Sequence, residues 1–289
     1  MTWKIYAHRG SSDQFAEHTR AAYLQALADG ADGVECDLHL SADEEVVLLH
    51  DETLDRTSDG TGPVDEATLA QLRALDFAAW KGAAVPAAYG GTADQLLTLS
   101  ELLAILRGAG RPVGLAIELK HSGPFGPRLE ERTLEVLLEA GWLPQSSRLG
   151  NIAISFMSFH PEAVKYLAQT VPARHLCQLV ADVDVAQVRA DLDLGALSGE
   201  AVAALMRRAL AEGERLIEDG VASLAGPGID YVRAHPERIR RWLDAGATFR
   251  VWTVDREEDV EHCAALGIQE LTTNRPAALR ALRDAVPTA

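Results

Sequence analysis

The 289-residue chain carries 43 acidic and 27 basic residues, a formal charge of −16. Such a surface repels nucleic acid and anionic membranes and draws in cations, and the length suits one large domain or two modest ones. No apolar run approaches the ~20 residues of a membrane span, and the opening MTWKIYAHRG lacks the apolar core of a secretory signal, so the expectation is a cytoplasmic protein without stable membrane insertion.

In chain order, short β-rich runs fall at 3–8, 33–39, 114–119, 151–156, 175–180, 221–225, 248–254 and 268–273, each followed by a polar or glycine-containing turn. Amphipathic helical stretches lie between them, such as TRAAYLQALADG, closed by Gly30, and SELLAILRGAG, for which Ser100 is the expected N-cap. Eight strand-then-helix units in about 250 residues imply a closed (β/α)8 TIM barrel, because a doubly wound open sheet has fewer strands. Residues 51–95, dotted with glycine, read as an insertion after the second strand that caps the mouth of a single 1–289 domain. Residues 182–219 read as mostly helical, with GEAVAALMRRALAEGERLIEDG as one long helix. Cys36, Cys177 and Cys263 are too far apart for a thiolate site and are expected as small buried residues.

In such a barrel the carboxyl ends of the strands converge on one mouth, so the polar residues there form a group. Strand one ends in His8 and Arg9, strand two carries Glu35 and Asp37, strand three Glu118 and Lys120, and strand four runs into Ser155; the last two end in Trp252, Thr253, Thr273 and Asn274. The period of two puts Glu35 and Asp37 on one face of GVECDLHL and Val34 and Cys36 on the other. Two carboxylates on one site require either a retained proton or a cation between them, and Glu118 adds a third. Three oxygen donors without thiolate describe a hard divalent cation, Mg²⁺ or Ca²⁺. The competing reading is an acid/base pair or a buried ion-pair cluster with Arg9 and Lys120. His39 continues the same face and is a second-ranked ligand that would favour zinc or manganese. His50 closes VVLLH, and with His8 it is a candidate for two-sided proton transfer. His160 and His235 each precede a proline in the manner of a helix start; with His175 and His262 they are read as structural or solvent-facing.

AHRG, ExT, ExD, HDxxLDRTSDGTG, IELK and VWTV follow one another in that order, and with them the chain resembles the glycerophosphodiester phosphodiesterase family from residue 5 to 276. The resemblance implies a (β/α)8 barrel and a divalent cation used to cleave glycerophosphodiesters into glycerol 3-phosphate and an alcohol. It implies Glu35, Asp37 and Glu118 as metal ligands, His8 and His50 as the acid/base pair, and Arg9 and Lys120 as phosphate-binding cations. Glu17 matches an acidic residue near the metal, Trp252 an aromatic that shapes the glycerol side, and the segment from residue 51 the small cap of the family. The implied partner is a small-molecule glycerophosphodiester, with either water or the substrate's own glycerol hydroxyl as nucleophile.

Three departures stand out. The Pro-Glu-Asn-Thr usual in the family is Ala16, Glu17, His18 and Thr19 here, which predicts that His18 alters substrate fit. An Asp-Gly turn is replaced by Asp43 and Glu44, and Thr-Asp-Arg-Pro by Thr273, Asn274, Arg275 and Pro276, which exchanges a structural carboxylate for an amide. Alternative readings are a lysophospholipase D, which needs an apolar route to the mouth hinted at by AAYGGTADQLL, and a Schiff-base lyase built on Lys120. A binding barrel without turnover would have no use for both His8 and His50.

Overall fold

The computed structural model describes residues 3–120, 127–184 and 196–285. All eight expected runs are strands: β1 (Lys4–Ala7), β2 (Gly33–Leu40), β4 (Val113–Leu119), β6 (Ile152–Ser158), β7 (Leu176–Val180), β8 (Leu224–Pro227), β9 (Thr248–Val251) and β10 (Glu270–Thr273). They are parallel neighbours in the order β1-β10-β9-β8-β7-β6-β4-β2, and β2 pairs back onto β1, which closes the barrel. Two further strands, β3 (Val46–Leu48) and β5 (Arg148–Leu149), run antiparallel to β2 and β6 on the outside of this circuit.

Closure follows from strands that are buried on both faces. Val34, Cys36 and Leu38 point outward and join Leu102, Leu106 and Ile117 in the layer between strands and helices, while Glu35 and Asp37 point into the barrel. A fully buried aliphatic side chain contributes about 1.5–3 kcal/mol, so this outer layer supplies the main cohesion of the shell. The inside is filled by Tyr6, Met157, Cys177 and Leu179, and by Arg250, whose guanidinium carbon lies 4.1 Å from the centre of the Tyr6 ring. Gly33 and Gly114 make room for that ring: a Cβ at either position would stand 2.4 Å or 2.5 Å from Tyr6 atoms. Arg250 is matched by Glu270, which accepts from its Nε at 2.9 Å and Nη2 at 2.6 Å, and by Ser155 Oγ at 2.9 Å. Ser155 therefore belongs to the packed interior below the mouth.

The helices start and stop where side-chain chemistry dictates. Arg20–Ala28 opens at Thr19, whose hydroxyl accepts from Ala22 N–H, and stops just before Gly30, which takes a φ of +77°. The helix Leu99–Arg107 begins earlier than the Ser100 cap expected from sequence. Thr98 accepts from Glu101 N–H while Glu101 accepts from Thr98 N–H, and this reciprocal box, a cap of the kind that contributes about 1 kcal/mol, leaves Ser100 inside the first turn. His160 and His235 stand just before Pro161 and Pro236 at the starts of their helices. The long helix is Ala196–Glu218; the part of the 182–219 reading at residues 185–195 lies outside the described residues. All three cysteines are buried and free.

The segment 51–95 holds one short helix, Leu69–Leu72, and four 3-10 turns. It has an apolar cluster of its own, with Leu54, Val64, Leu72 and Phe77 packed on Val47, Leu49 and Leu96. Among the described residues no helix is long and apolar enough to cross a membrane.

Candidate active site

Strand register assembles the site. Asp37 on β2 is the Cα partner of Glu118 on β4, and Ala7 on β1 is the partner of both Val34 on β2 and Thr273 on β10. His8 and Arg9 therefore leave β1 between Glu35 on one side and Asn274 on the other. Arg9 N–H donates to Glu35 Oε2 at 2.9 Å, and His8 N–H donates to Thr273 O at 2.8 Å. Arg9 takes a φ of +56°, which turns the chain back over the mouth at AHRG.

Ligand-competent oxygens of Glu35, Asp37 and Glu118 all lie within 4.8 Å of one another, and all three residues are buried. Lys120 Nζ lies 3.1 Å from Asp37 Oδ1 and 2.6 Å from Glu118 Oε1, and Arg9 Nε lies 3.0 Å from Asp37 Oδ2. This distributes charge unevenly. Burial would neutralise Asp37, but Lys120, His18 and Arg9 outweigh it and hold its carboxyl well below the usual range. Glu35 is pushed far up by burial and by the Asp37 charge, and Glu118 rises to about 7 through burial, against the pull of Lys120. Three carboxylates thus share too little positive charge to ionise together, and Glu35 Oε1 is buried without a hydrogen-bond partner. An all-oxygen set that holds fewer positive charges than carboxylates and keeps an unpartnered oxygen fits a hard divalent cation.

His39 does not join that group. Its Nε2 lies 3.2 Å from the carbonyl oxygen of His50, so it donates there and braces the backbone of the next strand end; burial pushes it down to about 4. His8 and His50 line one cleft of about 160 Å³ with Arg9, Glu118, Lys120 and Trp252. His8 Nδ1 lies 2.8 Å from Asn274 Oδ1, and His50 Nδ1 lies 2.6 Å from Asp51 Oδ1. Trp252 donates its Nε1–H to Gly226 O at 2.9 Å and meets Phe159 edge to face, with ring centres 5.5 Å apart, which makes an apolar wall with Met157 and Leu179. A wider second lobe of about 310 Å³ continues outward past His50, Asp51, Glu52 and His160.

Glu17 sits between the barrel and the insertion. It accepts from Arg9 Nη1 at 2.9 Å and from Arg56 Nη1 and Nη2 at 3.0 Å and 2.7 Å, and Arg56 also donates to Asp51 from Nε at 2.6 Å. Burial works against the Glu17 charge, but the Arg56 hydrogen bonds and the Arg9 charge hold it at about 2.

One residue is placed differently from the expectation. His18 does not face substrate: it is 3% exposed, with Nε2 2.9 Å from Asp37 Oδ2 and Nδ1 2.9 Å from the Tyr23 hydroxyl. A carboxylate only accepts, so the ring donates from Nε2 and fixes Asp37 from behind, while its Nδ1 meets the Tyr23 hydroxyl, which itself donates to Glu35 O at 3.1 Å. Asn274, expected at the end of the last strand where an amide replaces a carboxylate, stands there as the partner of His8. Lys120 is a poor Schiff-base nucleophile, since burial is outweighed by Asp37 and Glu118 and its pKa rises above that of free lysine.

The profile of the glycerophosphoryl diester phosphodiesterase family matches residues 8–278. The chain is 34% identical over 291 aligned residues to a probable glycerophosphodiester phosphodiesterase 1 of Mycobacterium tuberculosis, covering 97% of this chain and 96% of that one. It is 29% identical over 274 residues to a glycerophosphodiester phosphodiesterase of Bacillus subtilis, with 93% and 83% covered. Among solved structures, an Oleispira antarctica phosphodiesterase in complex with the product sn-glycerol-3-phosphate superposes with a TM-score of 0.74 at 24% identity over 98% of both chains, which shows the shared fold. The chain belongs to the glycerophosphoryl diester phosphodiesterase family and is a phosphoric diester hydrolase on a (β/α)8 barrel.

Proposed function

We propose that this enzyme cleaves small glycerophosphodiesters to glycerol 3-phosphate and an alcohol, with a divalent cation, Mg²⁺ or Ca²⁺, held by Glu35, Asp37 and Glu118. The observation that carries the reading is one cleft in which two histidines flank a buried carboxylate triad that is short of positive charge. The product-bound Oleispira neighbour supports the glycerol phosphate half of the assignment.

An unactivated phosphodiester is slow to cleave because a nucleophile must approach an anion and an alkoxide must leave. When bound, the cation supplies Lewis-acid polarisation and charge neutralisation at the phosphoryl group. Arg9 and Lys120 offset the remaining phosphate charge, the first fixed by Glu17 and the second by Glu118. His8 and His50 each have Nδ1 engaged, which turns Nε2 toward the cleft for proton transfer to or from the nucleophile and the leaving oxygen. The wall of Trp252, Phe159 and Met157 excludes water from one side and suits the carbon face of glycerol. The segment 51–95 serves as the cap and delivers Arg56 to the rim.

The test is an assay of the purified chain on glycerophosphodiesters and lysolipids, after chelation and with Mg²⁺ or Ca²⁺ restored, products being identified by phosphorus NMR. Glycerol 3-phosphate from the diesters, abolished by chelation and restored by either ion, is expected. Full turnover in metal-free protein would remove the carboxylate site, and faster turnover of lysolipids would move the substrate to that class.

A further inference from the structure

Behind His8 stands an amide that can present either of two faces. The Asn274 side chain carries an acceptor, Oδ1, and a donor, Nδ2, of nearly equal size, and the imidazole answers to whichever it meets. An acceptor opposite Nδ1 requires the ring to carry its proton there and leaves a lone pair on Nε2. A donor opposite Nδ1 moves the proton to Nε2 and removes that lone pair from the cleft.

The surroundings decide between the two. Asn274 Nδ2 lies 2.6 Å from Asp255 Oδ2, and Asn274 N–H donates to Asp255 Oδ1 at 2.8 Å. Thr273 Oγ1 also donates to Asp255 Oδ1 at 2.8 Å, so the carboxylate is held by three donors from one turn. A carboxylate cannot tolerate the amide oxygen in place of Nδ2. On the opposite side, Ser12 Oγ lies 2.8 Å from both Asn274 Oδ1 and His8 O; its single proton serves one of the two oxygens, so the flip is set by Asp255 alone. With the flip fixed, the 2.8 Å contact to His8 Nδ1 leaves that nitrogen no role but donor.

We propose that Asn274, oriented by Asp255, is a positioning residue that fixes His8 as the Nδ1–H tautomer and leaves Nε2 as its proton-transferring atom. The inference rests on the reading of His8 as a proton-transfer group. It goes beyond that reading by naming two residues, 19 positions apart in sequence, that set the ring's state without lining the cleft. Burial, aided by the Arg9 charge, pushes His8 down to about 4, so the ring is neutral near pH 7, where the choice of tautomer matters.

The experiment reads the tautomer and the kinetics separately, on the full-length chain. Nitrogen-15 NMR of imidazole-labelled protein, with His8→Ala identifying the His8 signals, is expected to show a protonated Nδ1 and a bare Nε2 in the wild type. Asn274→Leu, which offers no acceptor, and Asp255→Ala, which frees the amide to turn, are expected to shift the proton toward Nε2. Both should lower kcat ~10²-fold with KM within about 2-fold; a catalytic imidazole left in the wrong tautomer can cost more, ~10⁴ in a serine-protease triad. The exchanged pair Asn274→Asp with Asp255→Asn, which keeps an acceptor opposite His8 Nδ1 and a donor against it at the second position, is expected to retain the Nδ1–H signature and a kcat at least ~10-fold above that of Asn274→Leu. A bare Nδ1 in the wild type overturns the proposal, as does an unchanged kcat in a variant whose tautomer has shifted. If His8→Ala itself turns over normally, the proton-transfer reading fails, whatever the NMR shows.

Discussion

The two histidines of the cleft reach it from supports of different kinds. His8 leaves β1 and is gripped by the next strand of the barrel, its N–H on Thr273 O and its ring on Asn274. His50 follows the short β3, with a third of its side chain exposed, and depends on Asp51 and Arg56, which are 26% and 44% exposed. One imidazole is therefore built into the packed shell, where an amide meets it. The other hangs on an ion network at the rim, where a carboxylate meets it and solvent screens the charges. Groups placed on strands are held more exactly than groups on insertions, so the His50 side is the more adjustable of the two.

The largest expected effects come from removing either ring. His8→Ala and His50→Ala should each lower kcat ~10²-fold or more, which steady-state kinetics on a glycerophosphodiester would read directly. Near-normal turnover in one of them would reduce the pair to a single working histidine and end the comparison. Next in size is Arg56→Gln, which leaves the barrel side intact and frees Asp51 and Glu17 at once. A loss of about 10-fold in kcat is expected, with wild-type activity falling in high salt more than that of the variant. Equal salt sensitivity in the two proteins would mean that the rim network does not hold His50 in place.

How much of this arrangement was legible in the sequence depends on how far apart the partners lie. Eight parallel strands could be read because each is buried on both faces and stands out as an apolar run, with Glu35 and Asp37 interrupting one of them at the period of two. β3 shows in the sequence only as the apolar run VVLLH that His50 closes, outside the eight, and β5 shows no pattern at all because it is two residues long. The first turn of Leu99–Arg107 was misplaced by two residues although Thr98 and Glu101 spelled a capping box. That His8, Arg9, Glu35, Asp37, Glu118 and Lys120 gather at one mouth could be read from strand position alone; the groups that support them could not. His18 reaches Asp37 only because the chain passes through a φ of +61° there, a conformation in which asparagine is common and histidine rarer, and that substitution was the one available clue. Asn274 lies 266 positions from His8 and meets it through barrel closure, which no local window contains. Arg56 lies in a glycine-dotted stretch with no local sign of its partners, and only its four hydrogen bonds to carboxylate oxygens place it against Glu17 and Asp51.

Glu17 joins the two supports, accepting from Arg9 on the barrel side and Arg56 on the cap side, and it provides the finest test of how firmly they are coupled. Its folded-state pKa, about 2 against an ordinary 4.5, is depressed. A depressed carboxylate contributes stability that is present in full above the unfolded value and is lost as the pH falls from about 4.5 toward 2, because the unfolded chain binds the proton first. The contribution is on the order of 1–3 kcal/mol once partial exposure is allowed for. Melting curves taken in steps from pH 6 to pH 3 should show the wild type losing more stability than Glu17→Gln across the lower half of that range. The difference should shrink in an Arg56→Gln background, where one of the two cations is gone. Parallel losses in wild type and Glu17→Gln would show that the carboxylate is no tighter in the folded protein than in the unfolded chain, and the barrel and cap sides of the site would then be neighbours without a shared charge.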